Sequence, residues 1–372
     1  MPKRWWLRDL IYLVLFVGVV YGAWIALEYA TIYWPAMRYY NRILVIMGIN
    51  ITMAVSLNII NGHAGQFSLG HAGFMAIGAY SAAYLTVTYF GPYVEKMTEG
   101  SAQQVVWQNI LLLVAIVAGA LTSAIAGYIV GLPSLRLRGD YLAIVTLGFG
   151  EIIRVLILNI EAIGAARGLT GIPAWANFFW VFFFTGLTIL ISHRLVSSAV
   201  GRAFLAVRED QIAAEAMGVD TTKYKVKAFI IGSCLAGVAG ALYAHYTPAY
   251  LNPTMFTFIR SFEVVAMVVL GGLGSISGSI LSAIVLTFLP EGLRLVKDYI
   301  PENAPEMLKR DPRMVIYSIM LIVLMRSRPQ GLFGRRELWE FLPRRKDSIA
   351  KEGRDKGDSD DKLDRDSGPP VT

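Results

Sequence analysis

Long apolar runs, each of about 20 residues, recur along this chain of 372 residues and are separated by short polar stretches. A helix of that length matches the hydrocarbon thickness of a bilayer, where every backbone polar group must be bonded within the protein. A soluble core has no need of such runs. The sequence therefore predicts an all-α polytopic membrane protein with about 8 to 10 transmembrane or half-membrane helices, some of them broken.

Charge and cysteine content narrow the class further. The formal net charge of +7 does not indicate nucleic-acid binding, because cytoplasmic loops of membrane proteins carry an excess of Lys and Arg. Lys3, Arg4 and Arg8 precede the first apolar run, Leu10–Leu27, which is longer than the core of a typical cleaved signal. We therefore expect an uncleaved first span with its amino end in the cytoplasm. The single cysteine, Cys234, lies in an apolar run, which excludes a disulfide framework and a cysteine metal site.

A junction rich in glycine and alanine separates two apolar runs, Ile43–Ile60 and Phe67–Phe90. It reads N-G-H-A-G-Q-F-S-L-G-H-A-G-F, and six of these residues are Gly or Ala. Such density lets backbones approach closely and tolerates an unwound turn at membrane depth, so the junction predicts a broken helix. His63 and His71 stand in matching G-H-A-G frames. Because no third ligand is indicated nearby, we expect local packing or hydrogen bonding to freed backbone groups, and no metal site.

A second glycine-rich stretch, Gly271–Gly278, interrupts the apolar residues Phe258–Leu289. This region can form one tilted helix or two half-helices that fold back at the glycines. The halves Phe262–Leu270 and Ile280–Leu289 are each too short to span a bilayer. Only the fold-back lets the final span, Met314–Met325, deliver the basic residues after it to the cytoplasm, so we expect a fold-back. The residues assigned to this helix break are Gly271, Gly272, Gly274 and Gly278.

Small residues recur every four positions in three of the apolar runs, which makes one helix face smooth enough for close packing. The three sets are Gly119, Ser123, Gly127 and Gly131, then Ala236, Gly240 and Ala244, and finally Gly18 and Gly22. We interpret them as packing signals without chemistry.

A polar segment, Gly201–Gly218, stands among the apolar runs and reads G-R-A-F-L-A-V-R-E-D-Q-I-A-A-E-A-M-G. As a single helix it gathers apolar side chains on one side and charged or polar ones on another. The apolar set is Phe204, Val207, Ile212 and Met217, and the polar set is Arg208, Glu209, Gln211 and Glu215. The segment has too few apolar residues to cross a bilayer, and counting spans places it in the cytoplasm. It is either an ordinary solvated loop helix or a docking segment for a soluble partner, closed by Gly218.

Two acidic residues lie inside or at the margin of predicted spans, where ionisable groups are costly and count as functional candidates. Glu151 stands three residues before Arg154, and Glu263 stands three residues after Arg260. This spacing lets each pair neutralise itself on one helix face. Lining of a polar pathway, or a contact between subunits, is the alternative for Glu151 and Glu263.

The sequence motifs typical of several enzyme classes do not occur. The chain contains no G-x-x-x-x-G-K-[ST] phosphate loop, no H-E-x-x-H and no G-x-S-x-G. We therefore expect no enzyme activity on this chain. If ATP drives the protein, another chain must bind it.

Several segments, in the same order over roughly Leu44 to Gly334, resemble the M-type membrane permease subunits of bacterial branched-chain amino acid ABC importers. The matching text is S-L-N-I-I-N-G-H-A-G-Q-F-S-L-G-H-A-G-F-M-A-I-G-A-Y, L-R-L-R-G-D-Y-L-A-I-V-T-L-G-F-G-E-I-I-R, A-V-R-E-D-Q-I-A-A-E-A-M-G, V-V-L-G-G-L-G-S-I-S-G and R-P-Q-G-L-F-G. One passage departs from the family, because I-G-A-A-R-G-L-T-G-I-P replaces a longer T-G-G-x-N-G-L-type passage. That replacement bears on the external mouth and on docking of a binding protein.

The resemblance implies an ATP-driven importer in the bacterial cytoplasmic (inner) membrane, with both termini of this chain in the cytoplasm. It implies a paralogous H-type permease subunit, two cytoplasmic ATPase subunits, and a periplasmic binding protein that delivers branched-chain or related hydrophobic amino acids. ATP and Mg²⁺ would bind the ATPase subunits, so no cofactor is expected on this chain. Membrane lipid is an expected contact and nucleic acid is not.

The resemblance also assigns roles to residues. The ATPase-coupling residues it implies are Arg208, Glu209, Asp210, Glu215, Ala216 and Gly218. The residues placed along the translocation pathway are Gln66, Ser68 and His71, joined by the candidates Glu151 and Glu263.

Three domains are expected. Residues 1–42 form a transmembrane helix and a periplasmic loop, residues 43–334 form the permease core, and residues 335–372 form a charged, disordered cytoplasmic tail. Two other functions stay open. A urea or short-chain amide ABC importer permease would share every motif, and an ion-coupled carrier would need no ATPase.

Overall fold

The structure is a computed structural model that describes residues 5–34, 36–98, 100–134, 139–246 and 250–297, with single positions at 319, 322, 323, 326, 334 and 337. Residues 1–335 form one compact unit, which holds every element below, and residues 336–372 form a second unit, in which Glu337 alone is described. Apart from those single positions, the predicted span Met314–Met325, the R-P-Q-G-L-F-G motif and the predicted tail lie outside the described residues.

The described chain is built from helices joined by short turns. The α-helices are α1 (Trp5–Tyr33), α2 (Ala36–Asn58), α3 (His71–Leu85), α4 (Gly91–Glu95), α5 (Ala102–Ser134), α6 (Asp140–Asn159), α7 (Phe178–Ser197), α8 (Ala199–Glu209), α9 (Gln211–Ala216), α10 (Thr221–Tyr246), α11 (Phe258–Gly271) and α12 (Ile276–Lys297). Single π-helical turns follow α2 (Ile59–His63) and α3 (Thr86–Phe90), and 3-10 turns occur at Glu161–Ile163, Ala165–Arg167 and Pro253–Phe256.

Seven helical segments of the described chain are long and apolar enough to cross a bilayer. Two further apolar helices are shorter: α3, with 15 residues, and the apolar part of α12, Ile276–Gly292. The predicted all-α polytopic membrane fold with broken helices is therefore confirmed. The chain is a multi-pass membrane protein.

Helix α10 lies at the centre of the bundle and packs along α3 and α5. The three helices meet closely at Gly78, Gly119 and Gly237, where a methyl group added to Gly119 would lie 2.6 Å from the Gly78 carbonyl oxygen. Glycine here lets backbone touch backbone, as the small-residue spacing in α5 and α10 predicts. Gly18 and Gly22 do not pack in this way within the described chain, where no atom would lie within 4 Å of a methyl group at either position.

The hydrogen bonds between these helices fix their directions. The side chains of Thr86 and His245 are 3.0 Å apart, and these residues are 159 positions apart in the sequence. Phe74 and Ser233, which are bonded to the same serine, show the same sequence offset of 159 residues. Helices α3 and α10 therefore run parallel. Ser123 of α5 donates to the carbonyl oxygens of both Phe74 and Ser233, at 3.0 and 2.7 Å. Extending the offset places the first turn of α3 well inside α10, so α3 begins within the bundle and not at its end.

Two segments are more helical than the apolar runs of the sequence indicate. Between the runs, in the polar residues Gly91–Trp107, α4 occupies the start and α5 already begins at Ala102, because Gln and Trp residues continue the helix beyond the apolar run. The second half of the fold-back was expected to end near Leu289. It continues through Pro290 to Lys297 and, with 22 residues, is long enough to span a bilayer.

A short two-stranded antiparallel sheet ties two loops together at one end of the bundle. β1 (Leu169–Thr170) pairs with β2 (Tyr250–Leu251), with Leu169 opposite Leu251. The first strand lies in the passage that departs from the family pattern. The pairing fixes the loop after α6 to the loop after α10.

Candidate functional site

The first helix break follows α2. The helix ends in a π-helical turn, Ile59–His63, and the chain is unwound over residues 64–70 before α3 begins at His71. Gly65 adopts a positive φ of 68°, which is costly for any residue with a side chain. We call residues 59–70 the first break.

Side chains from within and around the first break bind its freed backbone groups. Asn61 accepts a bond from the Ser68 amide at 3.0 Å and donates to the Ser68 carbonyl at 3.3 Å. The hydroxyl of Thr146 on α6 accepts from the Leu69 amide, and that of Ser261 on α11 accepts from the Ala72 amide, both at 3.0 Å. Backbone polar groups at membrane depth need such partners, so α6 and α11 help to hold the break in place.

The three predicted pathway residues in the first break and at the start of α3 are almost fully buried. Gln66 is 5% exposed, and Ser68 and His71 are 0% exposed. His71 Nε2 lies 2.8 Å from the hydroxyl of Ser56. In contrast, Gln66 Nε2, Ser68 Oγ and His71 Nδ1 have no hydrogen-bond partner among the described residues. Buried polar atoms are normally bonded, so this cluster is unusual.

The second helix break separates α11 from α12 and consists of Gly272–Ser275. The fold-back predicted from the sequence is present, because α11 and α12 pack against each other with Met267 beside Ser282 and Gly271 beside Gly278. We call Gly272–Ser275 the second break. It is shorter than the predicted interval, since Gly271 ends α11 and Gly278 lies in the first turn of α12.

The two breaks meet at Asn58, the last residue of α2. The Asn58 side chain accepts a bond from the Gly274 amide and donates one to the Ser275 carbonyl, both at 2.9 Å. The Asn58 carbonyl lies 3.1 Å from Nδ1 of His63. Asn58 is fully buried. Asn58, which adjoins the first break in the chain, is therefore bonded through its side chain to the second break, more than 200 residues away in sequence.

The predicted polar helix, Gly201–Gly218, is not a single helix. It divides into α8 and α9 at Asp210, whose backbone is extended and whose carboxylate accepts bonds from the amides of Ile212 and Ala213 at 2.8 and 3.1 Å. An aspartate in this position caps a new helix. The predicted common apolar side is therefore wrong, because Phe204 is 0% exposed whereas Ile212 and Met217 are 70% and 83% exposed.

Helix α9 closes as expected at Gly218, which has a positive φ of 81°. Glu215 accepts bonds from Gln211 at 2.9 Å and from the Thr221 hydroxyl at 2.6 Å. These bonds join α9 to the start of α10. Ala216 and Gly218 are exposed, so this short helix presents a surface to the surroundings of the bundle.

Arg208 lies on the inner side of α8 and not on the solvent side predicted for it. Its Nη1 donates to the Gly62 carbonyl at 2.7 Å, and its Nη2 donates to Glu209 at 2.9 Å. The Arg208 side chain is 17% exposed, against 55% for Glu209. Of the predicted coupling residues, Arg208 therefore contacts the first break, whereas Glu209 faces outward.

Both predicted charged pairs within helices are present. Glu151 and Arg154 are 2.7 Å apart on α6, and Arg260 and Glu263 are 2.9 Å apart on α11. Arg260 also donates to the Asn50 side chain of α2 at 2.6 Å. The Arg260–Glu263 pair is thereby bonded to α2. Beside the Glu151–Arg154 pair, the neighbouring residue Gly150 packs against Gly70, at the end of the first break, and Gly73 of α3.

A known protein family matches most of this chain in sequence. The family model described as "Branched-chain amino acid transport system / permease component" matches residues 39–325. The chain belongs to this permease family.

Individual relatives agree. The chain is 35% identical over 319 residues to the high-affinity branched-chain amino acid transport system permease protein LivM of Salmonella typhimurium, covering 76% of this chain and 67% of the relative. It is 33% identical over 345 residues to LivM of Escherichia coli, covering 83% and 73%. It is also 30% identical over 152 residues to the permease protein LivH of Escherichia coli, covering 41% and 44%. No solved structure matches the chain.

Several residues that build this permease site were missed in the sequence. Asn58, Thr146 and Ser261 hold the two breaks, and Asn50 holds Arg260. Each is a polar residue inside an apolar run, which is the signal that could have found them. Their partners lie on other helices and could not be read from local sequence.

Proposed function

We propose that this permease is the M-type membrane subunit of an ATP-driven importer for branched-chain amino acids. The observation that carries the proposal is the geometry of α8 and α9. This segment offers exposed apolar and charged side chains to a soluble partner while Arg208 and Phe204 bind it to the first break. Such an arrangement suits a segment that conveys movement from an ATPase into the membrane.

The proposed translocation pathway runs past the first break. Gln66, Ser68 and His71 carry buried polar atoms without a partner in the described chain, and these atoms can bind water or a polar substrate group during passage. The proposed mechanism is alternating access, in which rigid-body movement of helices opens the pathway first to one side and then to the other. The pairs of Glu151 and Glu263 are proposed to border the same pathway.

The proposed partners follow from the family. A paralogous H-type permease completes the membrane pore, two cytoplasmic ATPase subunits bind ATP and Mg²⁺, and a periplasmic protein delivers the substrate. The match of this chain to LivH as well as LivM is what a paralogous pair of permeases leads us to expect.

We also propose the orientation. The segment from α7 to α10 is rich in basic residues, which favours the cytoplasm under the positive-inside tendency. Those residues are Arg194, Arg202, Arg208, Lys223, Lys225 and Lys227. With α8 and α9 on the cytoplasmic side of a bacterial inner membrane, both termini lie on the cytoplasmic side as well.

Uptake by cells tests the proposal. The permease and the subunits encoded beside it would be expressed in a bacterium that lacks its own branched-chain uptake, and radiolabelled leucine and urea would be supplied separately. We expect leucine uptake that stops when ATP is depleted. Urea uptake would favour the amide-importer alternative, and uptake that survives ATP depletion would favour an ion-coupled carrier.

Glu215 provides the matching variant. Reversing its charge in Glu215→Lys removes the acceptor for Gln211 and Thr221 and reverses a charge on the exposed surface of α9, so we expect leucine uptake to fall about tenfold or more. Glu215→Gln keeps an acceptor at the same place and serves as the control for α9 structure. Normal uptake by correctly inserted Glu215→Lys contradicts the proposal.

A further inference from the structure

Arg208 stands where three parts of the permease meet. Its Nη1 donates to the Gly62 carbonyl of the first break at 2.7 Å. A methyl group on Gly274, in the second break, would lie 2.7 Å from the same nitrogen. A methyl group on Gly65 would lie 2.6 Å from Arg208 Cγ. The guanidinium and its stem therefore fill space that glycines leave in both breaks.

The contact is reinforced on each side. Phe204, one turn earlier on α8, is 0% exposed and packs in one cluster with Ile59 and Ala64 of the first break. Asn58 bonds the second break to α2, as described above. Arg208 and Phe204 therefore join α8 to the first break, and Asn58 joins the end of α2 to the second break.

Two features indicate that the contact between Arg208 and the first break can be broken. Arg208 Nε is buried and has no hydrogen-bond partner among the described residues, so the guanidinium is not fully satisfied in this arrangement. Glu209, which accepts from its Nη2, is 55% exposed and can be reached by a partner protein. A partner protein that bound Glu209 and moved its carboxylate away would break the hydrogen bond from Arg208 Nη2 and so weaken the position of Arg208.

We infer that Arg208 is a positioning residue that latches both helix breaks to the partner-facing segment, and that releasing it opens the permease at the first break. This inference rests on the proposed function in one respect: α8 and α9 must face the ATPase subunits. The latch itself is a property of the permease and has a readout that does not depend on transport.

The readout is the accessibility of the first break to a thiol reagent. Cys234→Ala removes the single cysteine of the chain, and Ala64→Cys then places a thiol at a position that is 3% exposed beneath α8. Inside-out membrane vesicles that contain the whole complex would be treated with a membrane-impermeant maleimide without nucleotide. Labelling of this chain is measured after the subunits are separated.

Three substitutions are compared in that background. Arg208→Met keeps an apolar stem against Gly65 but donates no bond, and we expect labelling about five-fold faster, as losing one net hydrogen bond from the closed state allows. Arg208→Lys keeps the charge and a single donor, and we expect about two-fold faster labelling. Arg202→Gln removes an exposed charge from the same helix and is the matched control, with labelling at the parent rate.

The outcomes separate the latch from the proposed function. Labelling of Arg208→Met within two-fold of the parent, in correctly inserted protein, overturns the latch even where the parent imports leucine. Faster labelling in vesicles whose parent complex imports no leucine supports the latch and counts against the proposed function. Should Arg208→Met fail to accumulate, Arg208→Lys decides, and labelling no faster than the parent overturns the inference.

Discussion

The two helix breaks of this permease have similar glycine-rich sequences but different construction. The second break has four residues and is closed by bonds within the hairpin and by the Asn58 side chain; Ser275 Oγ accepts from the Gly278 amide at 3.1 Å, and the Gly272 amide bonds the Val268 carbonyl at 3.0 Å. The first break has a longer unwound stretch, and it and the start of α3 are held by side chains from α6 and α11; its buried atoms Gln66 Nε2 and Ser68 Oγ have no partner within the described part of the chain. We infer that the second break is a rigid hairpin, whereas the first break, in the proposed pathway, can change its bonding.

The largest effect is expected where the rigid hairpin is most tightly packed. Gly278 lies against the Gly271 backbone, so the side chain of Gly278→Leu would force α11 and α12 apart. Overpacking of this kind costs about 3 kcal/mol, and we expect little folded protein to be recovered. The measurement is thermal unfolding of the purified complex in detergent, followed by tryptophan fluorescence.

Gly292→Leu is the control for that substitution. It lies on the same helix, and no atom of the described residues lies within 4 Å of a methyl group there. We expect it to unfold near the parent temperature. Equal stability of Gly278→Leu and Gly292→Leu would contradict a rigid second break.

A smaller effect is expected at the residue that joins the breaks. Asn58→Ala removes the acceptor of the Gly274 amide and leaves that buried group without it, at a cost of about 2 kcal/mol. Because the joint also positions the first break, leucine uptake per folded complex should fall as well. Asn159→Ala removes an asparagine that bonds only its own helix in the described structure, at Val155, and should change stability by less than about 0.5 kcal/mol. If the two variants behave alike, the breaks are independent of each other.

Local sequence located both breaks, because glycine density is itself the cause of an unwound turn. It did not predict the inward position of Arg208, since that depends on the division of the polar segment at Asp210. Asp210 followed by a helical stretch is an N-cap signal that could have been recognised. The bridge from Asn58 to Gly274 is different, because it depends on how distant helices pack and leaves no local pattern.

The smallest effect on stability is expected at two serines, one near each break, and these two give the sharpest comparison. The Ser282 hydroxyl donates to the Met267 carbonyl across the hairpin, so Ser282→Ala should lose about 1 kcal/mol, or about 2 °C in Tm. Ser68 Oγ is buried and has no partner among the residues that the structure describes, so Ser68→Ala removes an unsatisfied group and should leave Tm unchanged or raise it.

Transport should show the opposite order for these two serines. If Ser68 borders the proposed pathway, Ser68→Ala lowers leucine uptake several-fold despite its undiminished stability, because a polar contact made during passage is lost. Ser282→Ala lowers Tm yet should import leucine at the parent rate per folded complex, since its bond lies within the rigid hairpin. Measuring both Tm and uptake for both variants tests the contrast. A loss of Tm in Ser68→Ala, or a loss of uptake confined to Ser282→Ala, would reverse the roles assigned to the two breaks.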